Sequence, residues 1–145
     1  MNEQSFEEVV SRIVEKNTQY DMEAYYFIRE ALDEAQKKYS DPNSDKRTHV
    51  TGRQLSEAIG EHALNEFGPM AFFVMAELGL HTTRDFGNIV YSLINEGVFG
   101  KSAEDKKEDF DNVFDFKEVF QSPYEIRPYT VQKAKTGKRR KTEEP

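Results

Sequence analysis

The candidates for a metal or acid–base site are Glu30, Glu77 and His62, because carboxylates and imidazoles bind metal ions and transfer protons. Glu30 and Glu77 stand at matching places in two similar segments, and His62 lies between them in sequence. Paired carboxylates beside an imidazole suit a metal or acid–base site. However, the chain has neither a Glu-x-x-His nor a His-Glu-x-x-His pattern. We therefore predict that these carboxylates are solvated, cap a helix or pair with a nearby arginine, for which Arg29 and Arg84 are the candidates. A metal-dependent or small-molecule enzyme is kept as an alternative function.

Other catalytic chemistries lack a sequence pattern in this chain. It contains no cysteine, which excludes disulfides, thiolate metal sites and cysteine nucleophiles. The stretch GVFGK, residues 97–101, lacks the spacing of a phosphate-binding loop, and no serine lies in a Gly-x-Ser-x-Gly elbow. We predict no catalytic residue, no metal ligand and no cofactor. We therefore favour a binding protein over an enzyme.

The end of the chain is strongly basic, whereas the rest is acidic. Residues 133–145 carry six basic and two acidic side chains, a net charge of +4. Since the whole chain has a net charge of −7, residues 1–132 carry −11. Such a basic run can contact nucleic-acid phosphates without sequence preference, and it is equally common as a solubilising terminus. The candidate nucleic-acid contacts are Lys133, Lys135, Lys138, Arg139, Arg140 and Lys141.

Length and composition indicate one globular domain. The 145 residues are 37% hydrophobic and 32% charged, which fits a soluble fold with a large solvated surface. No apolar run is long enough to span a bilayer, and the first ten residues are polar and acidic. We expect a cytoplasmic protein without membrane contact.

Two segments of the chain resemble each other without a gap. Residues 20–32, YDMEAYYFIREAL, align with residues 67–79, FGPMAFFVMAELG, at an offset of 47. The alignment pairs Ala24 with Ala71 and Glu30 with Glu77. Repetition at this period predicts two related helical hairpins stacked on each other.

The apolar spacing along the chain predicts a mainly α fold, a compact helical domain built from this degenerate repeat. Ser5, Asp21, Thr51 and Thr82 or Thr83 are the expected helix N-caps. Short extended or β elements are expected near residues 49–51 and 98–100. Residues 1–121 are predicted to form the domain, and residues 122–145 an extended C-terminal segment with a basic, disordered tail. Four phenylalanines are expected to pack back onto the helices: Phe110, Phe114, Phe116 and Phe120.

Three stretches of the sequence, YDMEAYYFIREAL, FGPMA and DFGNIVYSLINEG, support a family resemblance. On these motifs the chain resembles a small uncharacterised bacterial protein family of unknown function, over roughly residues 6–120. The resemblance implies a compact bacterial cytosolic protein of this length. It transfers no site residue.

The most apolar stretch, FGPMAFFVM, is the candidate protein contact, through Met70, Phe72, Phe73 and Met75. Stacked helical hairpins form grooves that suit peptide or protein ligands. We therefore predict a non-catalytic macromolecular binding or scaffold protein, whose partner is a protein of unknown identity. A homodimer through the same stretch is an alternative, as is an RNA-, ribosome- or DNA-associated protein that uses the basic tail.

Overall fold

A computed structural model describes residues 3–39, 50–99 and 106–125. Within these ranges the chain forms five α-helices, which confirms the predicted mainly α class. They are α1 (Glu3–Lys16), α2 (Met22–Lys38), α3 (Gly52–Phe67), α4 (Ala71–Glu77) and α5 (Thr83–Asn95).

Three of the four predicted helix starts are confirmed. Asp21 Oδ1 accepts the backbone N–H of Glu23 at 2.9 Å, which caps α2. Thr51 caps α3 through reciprocal hydrogen bonds with Gln54, and Thr82 is the N-cap residue of α5. The fourth prediction is wrong, because α1 begins at Glu3 and Ser5 lies inside it.

The predicted extended elements do not form strands within the described residues. Thr51 has an extended backbone only because it caps α3. Val98 N–H donates to the Leu93 carbonyl at 2.9 Å, so residues 98–99 close the end of α5 instead of starting a strand. Residues 49 and 100 lie outside the described ranges.

The core lies where α1, α2, α3 and α5 meet. Helix α2 supplies the most buried face, with Ala24, Tyr25, Ile28 and Ala31 fully enclosed. Their spacing of three and four residues places them on one side of the helix. The glutamates of α2 consequently lie on its other sides, at the surface or against α3.

Residues 106–125, which we call the clasp, pack across the helices. The clasp contains a 3₁₀ turn at Lys107–Phe110, a π-helical turn at Lys117–Gln121 and a second 3₁₀ turn at Ser122–Tyr124. The predicted packing of its aromatic rings is confirmed: Phe110, Phe116 and Phe120 are buried, and Phe114 is half-buried. Residues 122–124 are not extended as predicted, because Pro123 fits the first turn of a 3₁₀ helix. Residues 126–145 lie outside the described ranges.

The two similar segments are both helical, but their helices differ in length. Helix α2 has 17 residues, whereas α4 has seven and follows a 3₁₀ turn at Gly68–Met70. Ala24 and its counterpart Ala71 are fully buried in both. The shared burial is what any two helices packed on one core would show, so the repeat stays a prediction.

The start of α2 is joined to the end of α4 by a close backbone contact. Asp21 N–H donates to the Leu78 carbonyl at 3.1 Å. Gly79 has φ +90°, and a Cβ on it would lie 2.6 Å from the Gln19 carbonyl oxygen. Glycine is therefore required here both for its conformation and for the space it leaves. This contact fixes the position of α4, which carries the candidate site.

Within the described part of the chain, none of the helices combines the length and the apolar composition needed to cross a bilayer.

Candidate functional site

The 3₁₀ turn at Gly68–Met70 and helix α4 present large apolar side chains to solvent. Met70 is 56% exposed and Phe73 is 55% exposed. Phe72 is half-buried, and its ring meets that of Phe73 edge-on with centroids 5.8 Å apart. We call Met70, Phe72 and Phe73 the α4 patch. Side chains of this size are usually buried, so their joint exposure makes this surface the candidate site.

Burial of the intervening residues determines which side chains α4 exposes. Ala71 and Met75, one helical turn apart, are fully buried against the core. Phe73 lies between them in sequence and therefore on the opposite side of the helix. Of the four predicted contact residues, Met75 is therefore buried, Met70 and Phe73 are exposed and Phe72 is half-buried, and the protein contact itself stays a prediction.

His62 lies between two carboxylates of α2. Its Nδ1 is 3.1 Å from Glu34 Oε1, and its Nε2 is 3.3 Å from Glu30 Oε1. The imidazole is 4% exposed and packs on the Phe27 ring at 5.1 Å between centroids. Both glutamate side chains are mostly solvated, at 60% and 64% exposure. The cluster therefore ties α2 to α3 across a buried ring.

This arrangement does not assemble the metal or acid–base site considered from the sequence. The two carboxylates meet opposite nitrogens of one ring, so they share no point at which an ion would contact all three groups. Glu77 is exposed on α4, and no hydrogen bond or ion pair joins it to Glu30 in the described residues. No group of three or more His, Asp or Glu side chains in the described ranges is placed to hold a metal ion.

Arg84, one of the two arginines considered as a partner of these glutamates, pairs with a different carboxylate. Arg84 binds Asp111 of the clasp, with Nη1 2.8 Å from both carboxylate oxygens, and not Glu77. This ion pair raises the pKa of Arg84 through its hydrogen bond to Asp111. Sequence analysis missed Glu34 as the second partner of His62. Its position four residues after Glu30, on the same helix face, was the available signal.

A second polar network joins Tyr20, which precedes the N-cap of α2, to the start of α5. Tyr20 Oη donates to Asp85 Oδ1 at 2.6 Å and accepts from Asn88 Nδ2 at 2.8 Å. Asp85 Oδ2 accepts the backbone N–H groups of His81 and Thr82. Burial, with the hydrogen bond to Asp85, raises the pKa of Tyr20 far above its ordinary value. A phenol kept protonated and bonded in this way serves as a structural tie, not as a base at neutral pH.

The six basic side chains of the predicted nucleic-acid contact, Lys133 to Lys141, all lie outside the described residues.

No protein-family model matches the chain, and neither a curated protein nor a solved structure shows significant similarity to it. The resemblance to a bacterial family stays a prediction, and the function has to be argued from the geometry.

Proposed function

We propose that this protein is a non-catalytic binding or scaffold protein that contacts another protein through the α4 patch. The observation that supports the proposal is the exposure of Met70 and Phe73 beside Ala71 and Met75, which are fully buried. Aromatic residues and methionine are enriched where proteins bind each other. The partner chemistry that fits is an apolar pocket or an apolar helix face.

The position of the patch is fixed before binding. Ala71 and Met75 hold α4 on the core, and the Asp21–Leu78 hydrogen bond fixes its end. A rigid surface loses little conformational entropy when it is covered. Complete burial of a phenylalanine or methionine side chain stabilises by about 1.5–3 kcal/mol, so burying the exposed halves of two such side chains also contributes about 1.5–3 kcal/mol. Exposed Glu66 and Glu77 flank the patch with charge, as in the polar rim of an interface.

A pull-down from native cytosol with matched variants tests the proposal. Phe73→Asp places a charge on the exposed side of α4, and Ser11→Asp adds the same charge to the exposed side of α1. We expect wild type and Ser11→Asp to retain the same nuclease-resistant protein and Phe73→Asp to lose it about tenfold or more. Equal retention by Phe73→Asp, with an unchanged unfolding curve, would overturn the proposal. If the retained protein is a second copy of the chain, sedimentation equilibrium will show a dimer that Phe73→Asp dissociates.

An association with RNA or DNA through the basic tail is the second candidate function. Its support is the charge distribution, +4 in residues 133–145 against −11 elsewhere. A chain that ends at Thr130 should lose nucleic-acid binding and its salt dependence if the tail is the contact. Binding that survives this truncation would exclude the tail. The cytoplasmic location of the protein stays a prediction under both candidates.

A further inference from the structure

The exposed large apolar side chains of the described ranges cluster around α4. There are four of them: Met22, Met70, Phe73 and Tyr124. Met70 and Phe73 belong to the α4 patch. Met22 directly follows Asp21, whose N–H donates to the carbonyl oxygen of Leu78 at the end of α4. Exposed apolar side chains concentrated in one region are typical of a binding surface.

The last described residues continue from a turn that packs on α4. The π-helical turn Lys117–Gln121 packs against both α4 and the 3₁₀ turn at Gly68–Met70. The turn Ser122–Tyr124 follows directly, and Glu125 N–H donates to the Ser122 carbonyl oxygen at 3.2 Å. Tyr124, the fourth exposed side chain, therefore lies within a few residues of a segment that contacts α4. The chain beyond Glu125 consequently starts close to the α4 patch.

The residues that follow Glu125 are long enough in sequence to reach every part of α4. We call residues 126–131 the anchor segment. An extended chain spans at most about 3.3–3.6 Å per residue, so the six residues of the anchor segment reach up to about 20 Å. Helix α4 has seven residues and is therefore about 10 Å long. The anchor segment can thus reach the α4 patch from the end of the clasp.

The chemistry of the anchor segment and of the residues after it complements this surface. Four of its side chains are apolar: Ile126, Pro128, Tyr129 and Val131. Residues 126–141 contain seven basic residues and no acidic one. The exposed charged side chains on α4, on the last turn of α3 and on the π-helical turn are three acidic and one basic: Glu66, Glu77, Glu118 and Lys117. Apolar residues next to a basic run match an apolar patch with an acidic border, whereas a second copy docked through the same patch would bring like charges together.

We propose that the anchor segment covers the α4 patch of its own chain, and that the basic residues after it pair with the acidic border. A short tether gives the segment an effective concentration of the order of millimolar, so it occupies the patch before a second copy does. This inference rests on the proposed function, since it assigns a regulation to the same patch. A protein partner has to displace the anchor segment, which lowers the apparent affinity of that partner.

A tryptophan in place of Phe73 reports whether the patch is covered. The chain contains no tryptophan, so Phe73→Trp in the full-length protein introduces a single fluorescent reporter. Ile126→Asp/Tyr129→Asp charges two apolar residues of the anchor segment. Thr136→Asp/Thr142→Asp is the matched control, because it adds the same two charges further along the chain.

Acrylamide quenching measures the exposure of the reporter. We expect the quenching constant at position 73 to rise at least about twofold with the changes at 126 and 129, and to stay unchanged with the control changes. A tryptophan in place of exposed Glu8 on α1 should be quenched equally in all three chains. Equal quenching at position 73 with the natural and the charged anchor segment would overturn the proposal. Protection that disappears on dilution of about a hundredfold would also overturn it, because the occupant would then be a second copy.

This result is separate from the pull-down that tests the proposed function. A protected tryptophan at position 73 without a retained protein would keep the cover by the anchor segment and remove the proposed function. A retained protein with equal quenching at position 73 would do the reverse. If the patch is both covered and bound, the changes at 126 and 129 should increase the amount of retained protein about twofold or more, because the anchor segment no longer competes.

Discussion

Replacement of Gly87 by alanine tests how tightly the clasp is docked on α5. The new methyl group would lie 2.9 Å from Phe110 Cβ and Cγ and 3.0 Å from its Cδ1. These atoms are next to a backbone that Thr83 holds, so Phe110 has no free rotation with which to avoid the clash. Overpacking of this kind costs about 1–3 kcal/mol, and alanine returns about 1 kcal/mol as the better helix former. Because the clash is with atoms next to a held backbone, we take the upper part of the overpacking range, about 2–3 kcal/mol, which leaves a net loss of about 1–2 kcal/mol.

Gly60→Ala is the matched control for this replacement. It makes the same change inside a helix, but its Cβ meets the Cζ tip of the half-buried Phe114 ring, the far end of that side chain, and not atoms next to the backbone. The helix-propensity gain and the smaller clash should leave its stability within about 0.5 kcal/mol of wild type. Urea unfolding followed by circular dichroism measures both variants. A Gly87→Ala protein as stable as wild type, or less affected than Gly60→Ala, would refute the steric reasoning.

The remaining predictions concern buried polar groups, and urea midpoints measure all of them. Tyr20→Phe should lower the free energy of unfolding by about 1–2 kcal/mol, because Asp85 loses its hydrogen bond from a buried phenol. A loss no larger than that of the exposed-site variant Ser11→Asp would contradict this. Because burial raises the folded pKa of Tyr20 above its unfolded value near 10, its stabilisation is present below about pH 10 and is lost as the pH rises further. Tyr20→Phe should therefore show a shallower loss of stability between pH 9 and 11, and an unchanged slope would exclude this cause. Tyr25→Phe should be as stable as wild type or up to about 1 kcal/mol more stable, since the Tyr25 hydroxyl is buried without a hydrogen-bond partner in the described structure; a clear destabilisation would show that the hydroxyl is bonded. His62→Ala should lower the free energy of unfolding by about 2–3 kcal/mol, because the ring is buried. Glu34→Gln should lower it by less than about 1 kcal/mol, because the carboxylate is solvated. A larger loss for Glu34→Gln than for His62→Ala would contradict this reasoning.

The helices could be predicted from the sequence because their signals are local. Asp21 and Thr51 precede apolar residues at helical spacing, and each accepts hydrogen bonds from its own first turn. The start of α1 could not be placed in this way, since Ser5 suggested a cap that the backbone does not use. The unpredicted division of residues 68–77 into a 3₁₀ turn and a short helix follows from Pro69 and from the packing of Ala71.

The contacts between distant segments could not be predicted. Arg84 and Asp111 are 27 residues apart, and nothing in the composition links them. Gly60 and Gly87 carry no sequence signal of their own, because the space beside a helical glycine matters for packing only when an aromatic ring of another segment fills it. His62 was noticed as a candidate, but its partners depended on which face of α2 packs against α3.

The exposure of the residues in the candidate protein contact could be predicted only in part. The sequence identified an apolar stretch that contains Met70, Phe73 and Met75, but it could not determine which of them the core buries. Only the packing of α4 separates buried Met75 from exposed Phe73. Apolar residues in a short helix next to a proline turn leave the helix face undetermined.

The binding of a protein to the α4 patch can be observed by site-specific photo-cross-linking in living cells. A benzoylphenylalanine in place of Phe73 would report what covers the α4 patch, and the same residue in place of exposed Glu8 on α1 is the control. We expect a discrete, nuclease-resistant protein adduct at position 73 that is absent at position 8. No adduct at position 73, or the same adducts at both positions, would contradict the claim that the α4 patch binds a protein.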